Sequence, residues 1–195
     1  MRLLLASKSA ARRRMLEAAG VPFETVETRF DESGVKAAMK RRGLGAAEIA
    51  LALAEGKARV AAAEGLVLGS DQVLELEDGS MLDKPQDRDE AMAQLRAMSG
   101  RPHKLHTAGC VIDAGVMQWR HVETVAMHVR PLGKAFLQDY LDREWEQVRW
   151  SVGGYHVEGR GAQLFERIEG SLFAVQGLPL LPLLGFLRER GLLFS

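Results

Sequence analysis

The chain has 195 residues, 47% of them hydrophobic and 27% charged, which is typical of a globular protein in water and long enough to form a substantial core. Lys and Arg together number 26, as do Asp and Glu, so the formal net charge is zero, which argues against broad binding surfaces for nucleic acid or anionic membranes. The single cysteine, Cys110, excludes an intrachain disulfide and a thiolate metal cage.

The first elements are a strand and a helix. An apolar run over residues 2–6 predicts a short buried strand, and the pattern over Ala10–Ala19 predicts a helix. Ser9 is a suitable N-cap, and Gly20 is a suitable residue to end the helix. The apolar run is too short for a secretion signal, and residues 177–187, the most apolar segment, are too few to span a bilayer. We therefore expect a cytoplasmic protein.

The loop between this strand and helix is a candidate anion site, because a helix N-terminus offers free backbone N–H groups and the positive end of a dipole. Arg12 and Arg13 lie in the first turn, where cations oppose the dipole unless a bound anion compensates for them. Their guanidinium groups suit phosphate, so we predict that both bind it. We interpret Arg14 as part of a solvated helix face.

A strand is predicted over residues 23–28, followed by helices over 36–42 and Ala46–Ala63. The second helix is rich in alanine and carries Lys57. A lone lysine on such a helix usually faces solvent, so the local pattern gives this residue no role.

Two neighbouring carboxylates, Asp31 and Glu32, lie in the predicted loop between the second strand and the next helix. Carboxylate oxygens bind divalent cations, but clustered acids are also common in exposed turns. The loop is therefore either a metal site or an ordinary acidic turn.

The stretch Leu66–Pro85 predicts a β-hairpin, because two strand-like runs flank the dipeptide Asp78-Gly79. Asp71 then lies on the first strand of the hairpin, and Lys84 follows the second strand. An acidic and a basic side chain would therefore lie close together near one end of the hairpin. Asp is rarely buried unless it is paired or bound to a metal, which makes Asp71 a candidate functional residue. A plain hairpin with a partly exposed Asp is the alternative.

After the hairpin, Asp87 and Glu90 fit a capping box at the start of a helix that ends before Ser99. Two further strand-like runs, His103–Val116 and Gln118–Val129, are of the kind that pair as an antiparallel ribbon. Their histidines lack metal-ligand spacing, so we interpret them as surface or core residues rather than zinc ligands.

The last part of the chain predicts a helix over Lys134–Trp145, a strand over Leu164–Ile168 and a helix over Leu180–Arg190. Four glycines within residues 151–161 indicate either backbone that approaches a ligand or a flexible loop. The order of elements predicts an α/β fold, a mixed twisted sheet flanked by helices, in a single domain over residues 1–195 with two lobes around a cleft.

Several segments, in order along nearly the whole chain, resemble the Maf proteins, a family of cytoplasmic nucleoside triphosphate pyrophosphatases. Leu5–Arg13 is similar to the family's opening LASxSPRR motif, Gly69–Pro85 to its central hairpin, and Val175–Leu180, VQGLPL, to its closing motif. The resemblance implies a fold like that of the Maf and inosine triphosphatase proteins, with a nucleotide-binding cleft between the lobes.

The resemblance also implies a reaction, the hydrolysis of the α–β phosphoanhydride of a nucleotide with a divalent metal cation, Mg²⁺ or Mn²⁺. Asp71 would be the general base that activates water, or a metal ligand, and Glu32 would help to hold the metal. The implied triphosphate-binding residues are Ser7, Arg12, Lys57 and Lys84. Such chemistry requires cations to neutralise charge and a carboxylate to orient water.

Three positions bear on the choice of base. Members similar to dTTP/UTP pyrophosphatases have Thr, Arg and Gln where this chain has Gln72, Ala11 and Glu158. Gln72 and Glu158 are similar instead to the branch that acts on 7-methyl-GTP. A carboxylate can accept hydrogen bonds from the guanine edge and favours the positive charge of 7-methylguanine. That branch has Trp where this chain has Ala11, so an aromatic stacking partner is missing.

The leading prediction is a metal-dependent pyrophosphatase for 7-methyl-GTP or another modified nucleotide. One alternative is the same reaction on dTTP and UTP, and another is a non-catalytic nucleotide-binding regulator of cell division. We expect a small nucleotide as the partner, with no nucleic acid and no membrane. The sequence does not set the oligomeric state and is compatible with a homodimer.

Overall fold

The computed structural model describes residues 2–61 and 65–194, and within these ranges it confirms a mixed α/β fold with a seven-stranded sheet flanked by helices. The strands are β1 (Leu3–Leu5), β2 (Phe23–Thr25), β3 (Leu66–Leu76), β4 (Met81–Leu82), β5 (Pro102–Asp113), β6 (Val116–Val129) and β7 (Phe165–Glu169). The helices are α1 (Ala10–Ala18), α2 (Glu32–Arg41), α3 (Ala46–Val60), α4 (Arg88–Met98), α5 (Lys134–Val148), α6 (Leu172–Val175) and α7 (Leu180–Glu189), with 3₁₀ turns at Val152–Gly154 and Arg160–Leu164.

The sheet has the order β2-β1-β3-β5-β6-β7, and β4 pairs with β3. The chain forms two compact units. The first contains the described residues up to Gln72, then Thr107–Glu123 and those from Ser171 onward, and the second contains Val73–His106 and Thr124–Gly170. The chain therefore passes from one unit to the other within β3, β5 and β6.

In the first unit, β1 lies between β2 and β3 and is parallel to both. A parallel strand covered on both faces is expected to be continuously apolar, and the three leucines of β1 are all buried. They belong to one hydrophobic core with residues from α1, β3 and α7, including Met15, Leu16, Leu66, Leu68, Leu183 and Leu187.

The predicted start and end of α1 are confirmed. The Ser9 side chain accepts a hydrogen bond from the Arg12 backbone N–H, and Gly20 adopts a φ of 66° just beyond the helix. The prediction that α2 begins only at residue 36 is wrong, because the helix already begins at Glu32. Asp31 caps it by accepting hydrogen bonds from the Gly34 N–H and the Ser33 hydroxyl.

In the second unit, the predicted hairpin is confirmed, with Leu74 opposite Leu82 and Gly79 in the turn at a φ of 81°. The cap of α4 is also confirmed, since the Asp87 carboxylate accepts from the Glu90 N–H at 2.8 Å. The reciprocal bond differs from the prediction, because Glu90 accepts from the Gln86 N–H, one residue before the cap.

Two of the four glycines of residues 151–161 allow close packing in the second unit. An added Cβ at Gly153 would lie 2.7 Å from both Leu74 and Tyr155, and the residue has a φ of 79°. At Gly161, it would overlap the backbone of His156. The segment forms two 3₁₀ turns joined by a short loop.

His103 is buried among aromatic side chains of the second unit. Its Nε2 lies 2.7 Å from the Tyr155 hydroxyl, and the Tyr155 ring packs edge-on against Phe165. Its Nδ1 has no hydrogen-bond partner among the described residues. Burial, with a smaller contribution from the charge of His128, lowers the pKa of His103 from 6.5 to about 4.

None of the helices in the described part of the chain combines the length and apolar character needed to cross a membrane.

The pKa of His103 leads to a prediction about stability. Between pH 6.5 and about 4 the unfolded chain protonates this imidazole while the folded protein does not, so acid favours unfolding. We expect His103 to lower the free energy of unfolding by about 2 kcal/mol between pH 7 and pH 5. Urea denaturation of His103→Gln at the two pH values should show a correspondingly smaller loss than the unchanged protein. His121→Gln, at a half-buried histidine of β6, is the control and should keep the full pH dependence.

Candidate functional site

Helix α3 lies very close to β3 in the first unit. A Cβ added at Gly69 would overlap the carbonyl oxygen of Ala54 and lie 3.0 Å from the Ala58 methyl group. Ala50, Ala54 and Ala58 form a buried stripe at helical spacing on this side of α3. The alanine content of α3 and the glycine of β3 therefore have one physical cause, because only small residues permit this close approach.

Lys57 occupies the position next to this stripe, and its side chain is only 8% exposed. Its Nζ lies 3.0 Å from Asp71 Oδ2 and 3.1 Å from Glu32 Oε1. The expectation that Lys57 faces solvent is wrong, because the small residues around it bring the lysine against the strand. One ammonium group thus bridges two carboxylates that are 39 residues apart in the chain.

Glu32 reaches Lys57 from the first turn of α2. The ring of Phe30 occupies the space where a side chain at Gly56 would lie, so this part of the chain packs directly on α3. Glu32 follows two residues later, with its side chain 47% exposed. Of the two open interpretations for the acidic loop, Asp31 is a helix cap, whereas Glu32 joins the ionic cluster.

Asp71 lies on β3, and its two carboxylate oxygens have different surroundings. Oδ1 accepts a hydrogen bond from the Gln72 backbone N–H at 2.7 Å. Oδ2 is buried and makes its ionic contact with Lys57 without hydrogen-bond geometry. A buried carboxylate oxygen with no hydrogen bond among the described residues is costly, so Oδ2 depends on a cation for compensation.

Arg12 is the second buried cation of the unit. Its Nε donates to the Gly177 carbonyl at 2.6 Å, and its Nη1 donates to the Ser7 hydroxyl at 3.1 Å. Burial lowers the pKa of Arg12, while the charges of Asp71 and Glu32 act in the opposite direction. The guanidinium of arginine is not deprotonated in proteins, so Arg12 brings a second positive charge to the cluster.

The opposite face of β3 holds the end of α6 and the residues that follow it. Side chains alternate between the faces of a strand, so Ser70 and Gln72 point away from Asp71. The Ser70 hydroxyl is 2.9 Å from the Gly177 carbonyl oxygen and 2.7 Å from that of Ala108, within donating distance of both. The Gly177 carbonyl therefore contacts both Arg12 and Ser70.

Gln72 helps to hold the end of α6 against β3. Its amide nitrogen donates to the Thr107 hydroxyl at 2.8 Å and to the carbonyls of Ala174 and Val175 at 2.9 and 3.1 Å. The Thr107 hydroxyl in turn donates to the Ala174 carbonyl. The N–H groups of Gln72 are thus committed to the fold, although the resemblance implies a role in specificity.

The other predicted site residues lie in different places. Ser7 is half-buried beside Arg12, and Ala11 is half-buried on α1. Arg13 is exposed, with its Nε 3.8 Å from Glu17, and is not part of the ionic cluster. Lys84 and Glu158 are exposed residues of the second unit, Lys84 after β4 and Glu158 in the turn between the 3₁₀ segments.

Sequence reasoning overlooked Ser70, Thr107 and Gly177 as supporting residues. Because side chains alternate between the faces of a strand, the sequence of β3 alone could have placed Ser70 and Gln72 on one face and Asp71 on the other. The backbone carbonyls that accept from them carry no signal in the sequence.

The donor set of this cluster fits a divalent cation. Carboxylate oxygens are the ligands that Mg²⁺ and Mn²⁺ prefer, and Asp71 Oδ2 is a buried oxygen without a hydrogen bond. No group of three or more His, Cys, Asp or Glu side chains suited to a metal occurs in the described ranges. The fit is therefore to a cation of the Mg²⁺ type, which often takes one or two carboxylates from the protein and the remaining oxygens from substrate and water.

Comparison with known proteins confirms the predicted family resemblance. The profile of the family described as Maf-like protein matches residues 2–190. The chain is 44% identical to a nucleoside triphosphate pyrophosphatase of Sphingopyxis alaskensis, with 98% of each chain covered. It is 47% identical to a nucleoside triphosphate pyrophosphatase of Granulibacter bethesdensis over 97% of each chain. It is also 44% identical to a 7-methyl-GTP pyrophosphatase of Rhizobium meliloti, over 97% of this chain and 96% of the relative.

The close approach of α3 to β3 can be tested at Gly69. In Gly69→Ala, the added methyl group would overlap the Ala54 carbonyl, and we expect the free energy of unfolding to fall by about 1–3 kcal/mol. The control is Gly185→Ala, on α7, where an added Cβ meets nothing within 4 Å and helix propensity should raise stability by up to about 1 kcal/mol. Urea denaturation of both variants gives the comparison, and equal stabilities would contradict the contact.

Proposed function

The chain belongs to the Maf family, and from this we propose that it hydrolyses the α–β phosphoanhydride of a nucleoside triphosphate, releasing a nucleoside monophosphate and pyrophosphate. The observation that carries the proposal is the buried ionic cluster of the first unit, in which Asp71 lies 3.0 Å from the ammonium of Lys57. Buried cations suit a polyphosphate, and a carboxylate beside them suits the activation of water.

Arg12 and Lys57 are the proposed phosphate-binding cations. The Nε and Nη1 groups of Arg12 are held by Gly177 and Ser7, so the direction of the guanidinium is fixed. Its Nη2 is the donor that we assign to a phosphate oxygen. Ser7, Arg13 and Lys84 remain further proposed phosphate ligands on the basis of the family resemblance.

Asp71 is the proposed general base. In the proposed step, water attacks one of the two phosphorus atoms of the anhydride and gives its proton to the Asp71 carboxylate. The bridging oxygen leaves with the other phosphate group, so that one P–O bond forms and one breaks. Glu32 and Asp71 would hold a divalent cation, Mg²⁺ or Mn²⁺, which when bound would neutralise charge on the phosphate oxygens.

We propose 7-methyl-GTP as the preferred substrate. The relative from Rhizobium meliloti carries that name at 44% identity, while other relatives carry the broader name. Glu158 supports the choice, because an exposed carboxylate can accept from the guanine edge and attract the cationic 7-methylguanine. Ala11, in place of an aromatic residue, leaves this recognition to polar contacts.

The role of Asp71 is tested by pyrophosphate release from a panel containing 7-methyl-GTP, GTP, dTTP and UTP, with Mg²⁺ or Mn²⁺. We expect Asp71→Asn to lower kcat at least about 10²-fold, the usual contribution of a general base. Asp89→Asn, at an exposed carboxylate of α4, is the control and should retain full activity. Full activity of Asp71→Asn would remove the assigned role, and a panel without turnover would favour a nucleotide-binding regulator.

Base selectivity is tested by Glu158→Gln. Loss of a charged acceptor costs about 1.5–3 kcal/mol, so kcat/KM for 7-methyl-GTP should fall about ten- to a hundredfold relative to that for UTP. Glu166→Gln, at an exposed residue of β7, should leave the ratio unchanged. Preferential turnover of dTTP and UTP by the unchanged protein would keep the reaction but contradict the choice of base.

A further inference from the structure

We propose that Lys57 is a resident counter-ion for Glu32 and Asp71 that competes with the divalent cation for their oxygens, so that the cation binds tightly only when an anionic ligand draws Lys57 away. This inference rests on the proposed function, because the nucleotide polyphosphate is the ligand that would draw the ammonium. It assigns to Lys57 a control over metal binding in addition to phosphate binding.

The competition follows from which atoms Lys57 contacts. Its Nζ lies 3.0 Å from Asp71 Oδ2 and 3.1 Å from Glu32 Oε1. Asp71 Oδ1 accepts a hydrogen bond from the Gln72 N–H, whereas Oδ2 has no hydrogen bond to any described residue and is the oxygen that Lys57 contacts. A cation that used both carboxylates would therefore take the place of the ammonium.

Burial makes this competition energetically important. The side chains of Lys57 and Asp71 are only 8% and 12% exposed, so water screens their interaction weakly. Removal of one partner from such a pair leaves a buried charge without compensation, which is strongly unfavourable. The buried Asp71 carboxylate therefore requires a cation at all times, and the lysine supplies it in the absence of a metal.

The two buried cations differ in how firmly the protein holds them. Arg12 is tied through two nitrogens to Gly177 and Ser7. Lys57 has an ionic contact to each carboxylate and a flexible four-carbon stem, so its ammonium can move with little loss of hydrogen bonding. A bound polyphosphate offers more negative charge than the carboxylate pair. Lys57 is thus the cation that can turn toward the phosphates and leave the carboxylates to the metal.

The test measures Mn²⁺ binding without any nucleotide, by electron paramagnetic resonance of the free ion. In Lys57→Met, the competing ammonium is absent, and we expect Mn²⁺ to bind at least about tenfold more tightly than to the unchanged protein. Lys104→Met removes an exposed lysine of β5 and controls for the overall change in charge. It should bind Mn²⁺ as the unchanged protein does.

Two further variants keep the test decisive. If Lys57→Met does not fold, Lys57→Gln removes the charge and keeps a polar group, and it should show the same tighter binding. The double variant Lys57→Met with Asp71→Asn should lose the gain, because it lacks one of the two ligands. A Mn²⁺ affinity in both single variants equal to or below that of the unchanged protein would overturn the proposal.

Binding without nucleotide also separates this inference from the proposed reaction. Tighter Mn²⁺ binding in the Lys57 variants, together with no turnover of any nucleotide by the unchanged protein, would support the counter-ion role and overturn the proposed function. Turnover of a nucleotide by the unchanged protein, together with Lys57 variants whose Mn²⁺ affinity is unchanged, would support the proposed function and overturn the counter-ion role.

Discussion

The close contact between α3 and β3 is the constraint on which the candidate site depends. Gly69 has no side chain where the Ala54 carbonyl lies, and the alanine stripe of α3 presents only methyl groups to the strand. This contact brings the stem of Lys57 into the protein interior and its ammonium to Asp71. A buried ion pair adds little net stability because both charges lose their hydration. The contact is therefore better explained by the chemistry it permits than by the stability it provides.

Side chains alternate between the two faces of β3, and the two faces have different roles. Asp71 takes part in the ionic cluster, while Ser70 and Gln72 on the opposite face hold the end of α6 and the residues after it through their backbone carbonyls. These carbonyls include those of Ala174 and Val175, the last two residues of α6. The Gly177 carbonyl joins the two roles, because it also accepts from Arg12. The residues on both faces of one strand thus support one site.

Features that depend on neighbouring residues could be predicted from the sequence. Asp78-Gly79 predicted the hairpin, Ser9 the start of α1, and Asp87 the start of α4, since turns and caps are local structures. The order of elements was sufficient for the fold class. The burial of Lys57 could not be predicted, because it follows from a contact between a glycine on one element and alanines on another. The commitment of the Gln72 amide was hidden for a similar reason, since its acceptors are backbone carbonyls about 100 residues away. The family resemblance selected Asp71, Glu32, Lys57 and Arg12, which the structure brings together, but it could not give their contacts.

The bond between Arg12 and Gly177 joins residues that are 165 positions apart, and it has a consequence for synthesis of the chain on the ribosome. A growing chain folds from its N-terminus, so β1 and α1 emerge long before the carbonyl that orients the arginine of α1. The first unit is also interrupted twice by the second, so its last segment is added after both others. Until residue 177 has emerged, a nascent chain cannot hold Arg12 as the completed protein does. The final orientation of Arg12 is thus reached among the last events of translation.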